Sequence, residues 1–194
     1  MEGIFGTHPA GVAEAASSTY RQVNRAVVRG MVSLGIMQTL VETSAGEARI
    51  STFTASGRCR AVVVLGHGAG GGIEAPDLQA LAGALPSAGV EVVLVEQPWR
   101  VVGKRIAPAP KTLDSAWRDV LAYLSEGAAR EVDGRAGRVP VIVGGRSAGA
   151  RVACRTGLET GSAGVLALAF PLHPPGKPEM ANIRSRTRSG FCVG

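Results

Sequence analysis

Val139-Pro140-Val141-Ile142-Val143-Gly144-Gly145-Arg146-Ser147-Ala148-Gly149 reads as a short apolar β-type run that closes in a G-x-S-x-G pentad. A serine in such a pentad, between a buried strand and a helix, stands on a sharp turn with its hydroxyl thrust above the sheet. The flanking glycines have a steric reason. The turn brings strand and helix backbones close and forces an unfavourable dihedral at the serine, so a Cβ on either side would clash. The stretch predicts a strand over 139–144, a turn at Ser147 and a helix from about 148 to 157, and it makes Ser147 a candidate covalent catalyst.

Outward from it, the chain alternates strands and helices. Residues 61–65 (AVVVL) and 90–95 (VEVVLV) are continuous apolar runs, as strands covered on both faces must be. Between them Leu78, Leu81 and Leu85 form one helical stripe, with Gly89 as a stop. Leu113, Trp117, Val120, Leu121 and Leu124 align over 112–126, and a further strand spans 164–170. This order means a parallel sheet with right-handed crossovers. Two β-rich runs, 39–43 and 48–54, joined by Ser44-Ala45-Gly46-Glu47, add a hairpin in front. Still earlier, Tyr20, Val23, Val27, Met31 and Leu34 recur at helical spacing over 13–36, with Arg21, Arg25 and Arg29 on another face. That segment reads as an amphipathic helix packing on the domain or a neighbour, with membrane-surface binding as the sharper alternative.

At 194 residues the chain fits one domain with a real core. Its three cysteines, Cys59, Cys154 and Cys192, show no C-x-x-C spacing, which argues for a reducing compartment and against a disulfide frame or a zinc site. Cys154 reads as a small buried filler. Half of the net charge of +6 sits in residues 177–194, where Lys177, Arg184, Arg186 and Arg188 face only Glu179. A tail carries the charge, so nucleic-acid binding is not expected. No stretch approaches the ~20 apolar residues of a membrane span, and a cytoplasmic protein without metal or cofactor is expected.

After strand 61–65 comes Gly66-His67-Gly68-Ala69-Gly70-Gly71-Gly72. One reading makes this loop half of an oxyanion hole opposite Ser147. Its donor would be the amide of Ala69, with Gly68 as the neighbouring candidate and His67 shaping the loop, and the second donor would be the amide of Ala148. The same residues spell G-x-G-x-x-G (Gly66, Gly68, Gly71), and Glu96 ends the next strand, as in a dinucleotide site. Two features weigh against that. Ile73-Glu74-Ala75-Pro76 postpone the helix that should open directly from the glycines, and the pentad stays unexplained.

The stretches LGHGAGGGIEAPDLQALA, VEQPWRVVGKRIAPAPKTLD, GGRSAGARVACR and LALAFPLHPPGKPE, within 37–179, resemble a group of predicted bacterial α/β-hydrolases. That group is related to dienelactone hydrolases and to a eukaryotic branch that includes a chromatin-complex subunit. The resemblance implies a three-layer α/β-hydrolase fold, its mostly parallel sheet preceded by an antiparallel hairpin. It also implies Ser147 as nucleophile toward an ester-like carbonyl of a small-molecule substrate. The expected domains are a helical extension over 1–36, the core over 37–178 and a basic tail over 179–194.

Such hydrolases place an acid after the seventh strand (less often the sixth) and a histidine after the eighth. Here MANIRSRTRSGFCVG, residues 180–194, offers no strand, acid or histidine. The expectation is a copy truncated or frameshifted after about the sixth strand, weak or inactive without its triad partners. His173 would be a substitute base, its plainer role being to shape a proline-rich loop. The sixth strand would be a bare edge inviting a homodimer. Arg100, Arg146 and Arg151 would either steer an anionic substrate or pin loops by hydrogen bonding. The reading from another class is a non-catalytic interaction module that uses the 13–36 helix and the tail as contact surfaces.

Overall fold

A computed structural model describes residues 36–127 and 139–172. The helix read over 13–36 (apart from Ile36), His173 and the basic tail lie outside the described residues. In chain order the elements are β1 (Ile36–Thr43), β2 (Gly46–Phe53), β3 (Ala61–Gly66), α1 (Pro76–Ala84), a 3-10 turn (Leu85–Ala88) and β4 (Val90–Glu96). Then follow α2 (Pro98–Val101), α3 (Pro110–Gly127), β5 (Val141–Arg146), α4 (Ala148–Thr156) and β6 (Gly164–Leu168). The strands form one sheet in the order β1-β2-β4-β3-β5-β6. β1, β2 and β4 pair antiparallel, whereas β4, β3, β5 and β6 run parallel. This is the expected α/β-hydrolase arrangement.

Alternation along the central strands builds the three layers. Val62 and Val64 of β3 point, with Val93, Val95 and Val143, to the face covered by Trp117 and Val120 of α3 and Val152 of α4. Val63 and Leu65 point the other way, with Val92 and Leu94, against Leu78 and Ala82 of α1. Both faces of β3 and β4 are therefore dry, which is why those runs are uninterrupted in Val and Leu. The hairpin is fastened across the first layer. The Ser44 backbone N–H and hydroxyl both donate to Asp119 Oδ2 of α3, each at 2.7 Å.

Element boundaries differ from the sequence reading for local reasons. β5 starts at Val141, not 139, because Pro140 has no N–H for the ladder; its carbonyl instead accepts the Val62 N–H at 2.9 Å. The hairpin turn shrinks to Ser44-Ala45, since Gly46 at φ +108° pairs back to Thr43. Leu85 leaves the helical stripe because the chain tightens into a 3-10 turn around Pro86, ended by Gly89 at φ +76°. β6 ends at Leu168, two residues early, and Ala169 (φ +44°) redirects the chain. The single-turn α2, opened by Pro98, carries no periodicity that a sequence reading could use. Among the described residues no helix is long and apolar enough to cross a membrane, and no described strand pairs with the outer side of β6.

Candidate active site

Ser147 occupies the turn between β5 and α4 with φ 52° and ψ −102°, a conformation that costs a non-glycine residue about 1–3 kcal/mol and persists only where the surroundings impose it. They do so here through backbone. The Ser147 N–H donates to Leu168 O of β6 at 2.9 Å, and the Gly149 N–H donates to His67 O at 3.1 Å. A Cβ added to Gly145 or to Gly149 would run into the backbone of Gly66. Gly66 is itself closed in by Trp117, whose ring edge would lie 3.3 Å from a Cβ there. The elbow is thus three glycine backbones in contact, with a half-buried serine at its apex.

Gly68 faces that serine: a Cβ on Gly68 would sit 3.5 Å from Ser147 Cβ. The glycine loop and the elbow are therefore neighbours. His67, 3% exposed, is the pin of the loop. Its Nε2 lies 3.1 Å from the Gln97 backbone N–H, which can only donate, so Nε2 accepts. Nδ1 then carries the proton and donates to Gly68 O at 2.8 Å. Its ring also packs on Trp99, with centroids 5.5 Å apart. Burial pushes the His67 pKa below its ordinary 6.5, against a smaller opposing effect of the Gly68 carbonyl, so the ring is held neutral. With both nitrogens committed to the backbone, His67 shapes the loop and is not placed to act as a base. Ala69 is exposed. Ala148 opens α4, where a helix leaves its first amides without internal partners.

The three arginines are engaged in pinning. Arg146 Nε donates to Asp77 Oδ2 of α1 at 3.0 Å, Arg100 faces Glu74 at 3.8 Å, and Arg151 donates to Pro171 O at 3.2 Å. Their anchors Asp77, Glu74 and Pro171 lie far away in sequence or carry no motif, so sequence reasoning missed them. Glu96, the acid a dinucleotide site would need, is tied to Arg49 at 2.9 Å across the β2–β4 pair. Residues 67–75 form turns, not a helix. Cys154 is half-buried, not the buried filler expected. Among the described residues no group of three or more His, Cys, Asp or Glu side chains could hold a metal.

The model of an alpha/beta hydrolase domain matches residues 59–189. The chain belongs to that family. The match continues past Glu179, where the resemblance quoted above ends, and starts after the β1–β2 hairpin. Solved α/β-hydrolases superpose on the chain. An alpha-beta serine hydrolase homologue from Coxiella burnetii has a TM-score of 0.57 at 18% identity, over 76% of this chain and 69% of that one. A lidless serine hydrolase from Xanthomonas campestris gives 0.55 at 15% identity, over 74% and 65%. A thermostable carboxyl esterase from Bacillus coagulans gives 0.54 at 14% identity, over 70% of this chain but 44% of its own. At these identities the likeness is one of fold. No curated protein matches the sequence.

Proposed function

We propose that the protein is a serine-nucleophile hydrolase of ester-like carbonyl substrates, within the branch of the family related to dienelactone hydrolases. The observation that carries this is the juxtaposition at the elbow: a serine held at φ 52° by glycine-on-glycine packing, with Gly68 of the glycine loop against its Cβ. The Ser147 hydroxyl gives its proton to a base as it attacks the carbonyl carbon, the ester C–O bond breaks and the alcohol leaves with that proton. Water then cleaves the acyl-serine to release the acid. The amides of Ala148 and of the loop, at Ala69, receive the oxyanion, each such donor being worth about 3 kcal/mol in the transition state. Neighbours described as serine hydrolases and a carboxyl esterase support the class of chemistry.

The hydroxyl needs a base. His67 is spent, and His173, which lies outside the described residues, is the candidate by its position in the sequence after the sixth strand. Arg100, Arg146 and Arg151 hold loops around the site in this reading and do not select an anionic substrate. A homodimer through the outer side of β6, whose residues are all half-exposed, belongs to the same proposal. So does a cytoplasmic location.

Hydrolysis of short-chain aryl esters tests the reading. Ser147→Ala abolishes it, and His173→Ala lowers kcat by about 10²–10⁴. Turnover that survives Ser147→Ala refutes the nucleophile. Unchanged turnover in His173→Ala refutes the base alone.

A further inference from the structure

The backbone and the side chain of His67 hold different things. Its backbone O accepts the Gly149 N–H at 3.1 Å, which fastens the glycine loop to the elbow without the ring. The ring adds two further bonds: Nδ1 donates to Gly68 O at 2.8 Å, and Nε2 accepts the Gln97 N–H at 3.1 Å. The ring has no room to swing. It is buried, and Trp99, itself buried, packs against it.

Gly68 O and the Ala69 N–H belong to one peptide unit. That unit is planar and trans, so its C=O and N–H point in opposite directions. Anchoring the carbonyl on the buried ring therefore turns the N–H away from the ring, and Ala69 is exposed. No backbone carbonyl among the described residues accepts the Ala69 N–H. Packing does little to fix the plane: a Cβ at Gly70 or at Gly71 would meet nothing within 4 Å, and Gly68 itself turns freely about its backbone bonds. The same rule applies one unit earlier. The His67 carbonyl points at Gly149 of the elbow, so the Gly68 N–H, which shares its plane, points away from the elbow.

We propose that His67 is a positioning residue for the reaction: by holding Gly68 O it aims the Ala69 N–H at the substrate oxygen on which charge develops. The proposal rests on the serine-hydrolase reading of the elbow. It selects Ala69 over Gly68 as the loop's donor. Gln97 acts one step further back. Its N–H occupies Nε2 and so leaves the ring proton on Nδ1, where Gly68 O needs it.

Three variants of the full chain separate aiming from bracing. An asparagine side chain places an amide N–H where Nδ1 stands, and a glutamine side chain places an amide oxygen where Nε2 stands. His67→Asn therefore restores the bond to Gly68 O, and His67→Gln restores the bond from the Gln97 N–H. Each replaces one of two buried bonds, so their urea midpoints lie close together. The readout is the rate at which a fluorophosphonate labels Ser147. In that step Ser147 Oγ bonds phosphorus, fluoride leaves, and charge builds on the phosphoryl oxygen as it would on an ester carbonyl. His67→Ala slows labelling about tenfold or more, and His67→Asn brings it back to within about threefold of wild type. His67→Gln stays as slow as His67→Ala. Equal rates in His67→Asn and His67→Gln, or rates that follow the urea midpoint through all three variants, overturn the proposal while the hydrolase reading stands. Wild-type labelling that survives Ser147→Ala refutes the hydrolase reading, and the proposal with it.

Discussion

The two ends of the sheet edge that carries the elbow are built from different material. At the β3–β5 junction the chain meets itself backbone to backbone, with Gly66, Gly145 and Gly149 in contact and Ser147 fixed above them. At the β2–β4 end it meets itself through side chains: the Arg49–Glu96 pair, Gln97 on Leu113 O, and Trp99 on His67. Backbone contact leaves no room and positions an atom closely. Side-chain contact tolerates change and leaves two buried polar atoms, Gln97 Oε1 and Trp99 Nε1, without hydrogen-bond partners. His67 joins the two, since it binds Gly68 O on one side and the Gln97 N–H on the other.

The comparison is broken most severely at the glycines. Gly149→Ala places a methyl in the backbone of Gly66 and is expected to cost about 3 kcal/mol or more. In urea the midpoint falls with little change in m. An unshifted midpoint would mean that the two backbones are not in contact.

His67→Ala comes next, at about 2 kcal/mol, because a buried amide and a carbonyl lose their partner. It also carries a pH signature. The folded-state pKa of His67 lies below the unfolded 6.5, so the unfolded chain takes up the proton first. Its contribution is complete above about pH 6.5 and is lost as the pH falls from there toward the depressed folded value. Comparing the pH dependence of stability in wild type and His67→Ala should show that slope only in the wild type.

Side-chain contacts at the far end cost less. Arg49→Ala should lower stability by about 1 kcal/mol, since Glu96 is partly shielded. Arg118→Ala breaks an ion pair with Glu159, 2.6 Å long and open to solvent on both sides, and should cost about 0.5 kcal/mol or less in the same denaturation assay. A result larger for Arg118 than for Arg49 would reverse the ranking by exposure.

What could be read from the sequence follows the same division. The elbow was legible because backbone packing permits only glycine at Gly145 and Gly149, and that constraint is written as a motif. The central strands were legible because both faces of β3 and β4 are dry. The partners of the arginines and the fastening of His67 were not legible. Asp77, Gln97 and Asp119 have no local pattern, and only the crossover connections bring them to Arg146, His67 and Ser44. The edges of β5 and β6 shifted by two residues, because Pro140 and Ala169 act through the neighbouring strand's hydrogen bonds and the local dihedral, not through hydrophobicity.

The most direct measurement is intact-mass and peptide analysis after exposure to a fluorophosphonate, which reports whether the Ser147 hydroxyl is presented to an electrophile beside the loop amides. A single adduct on the peptide that contains Ser147, absent in Ser147→Ala, is the predicted result. No adduct on the folded wild-type chain, or the same adduct in Ser147→Ala, would contradict it.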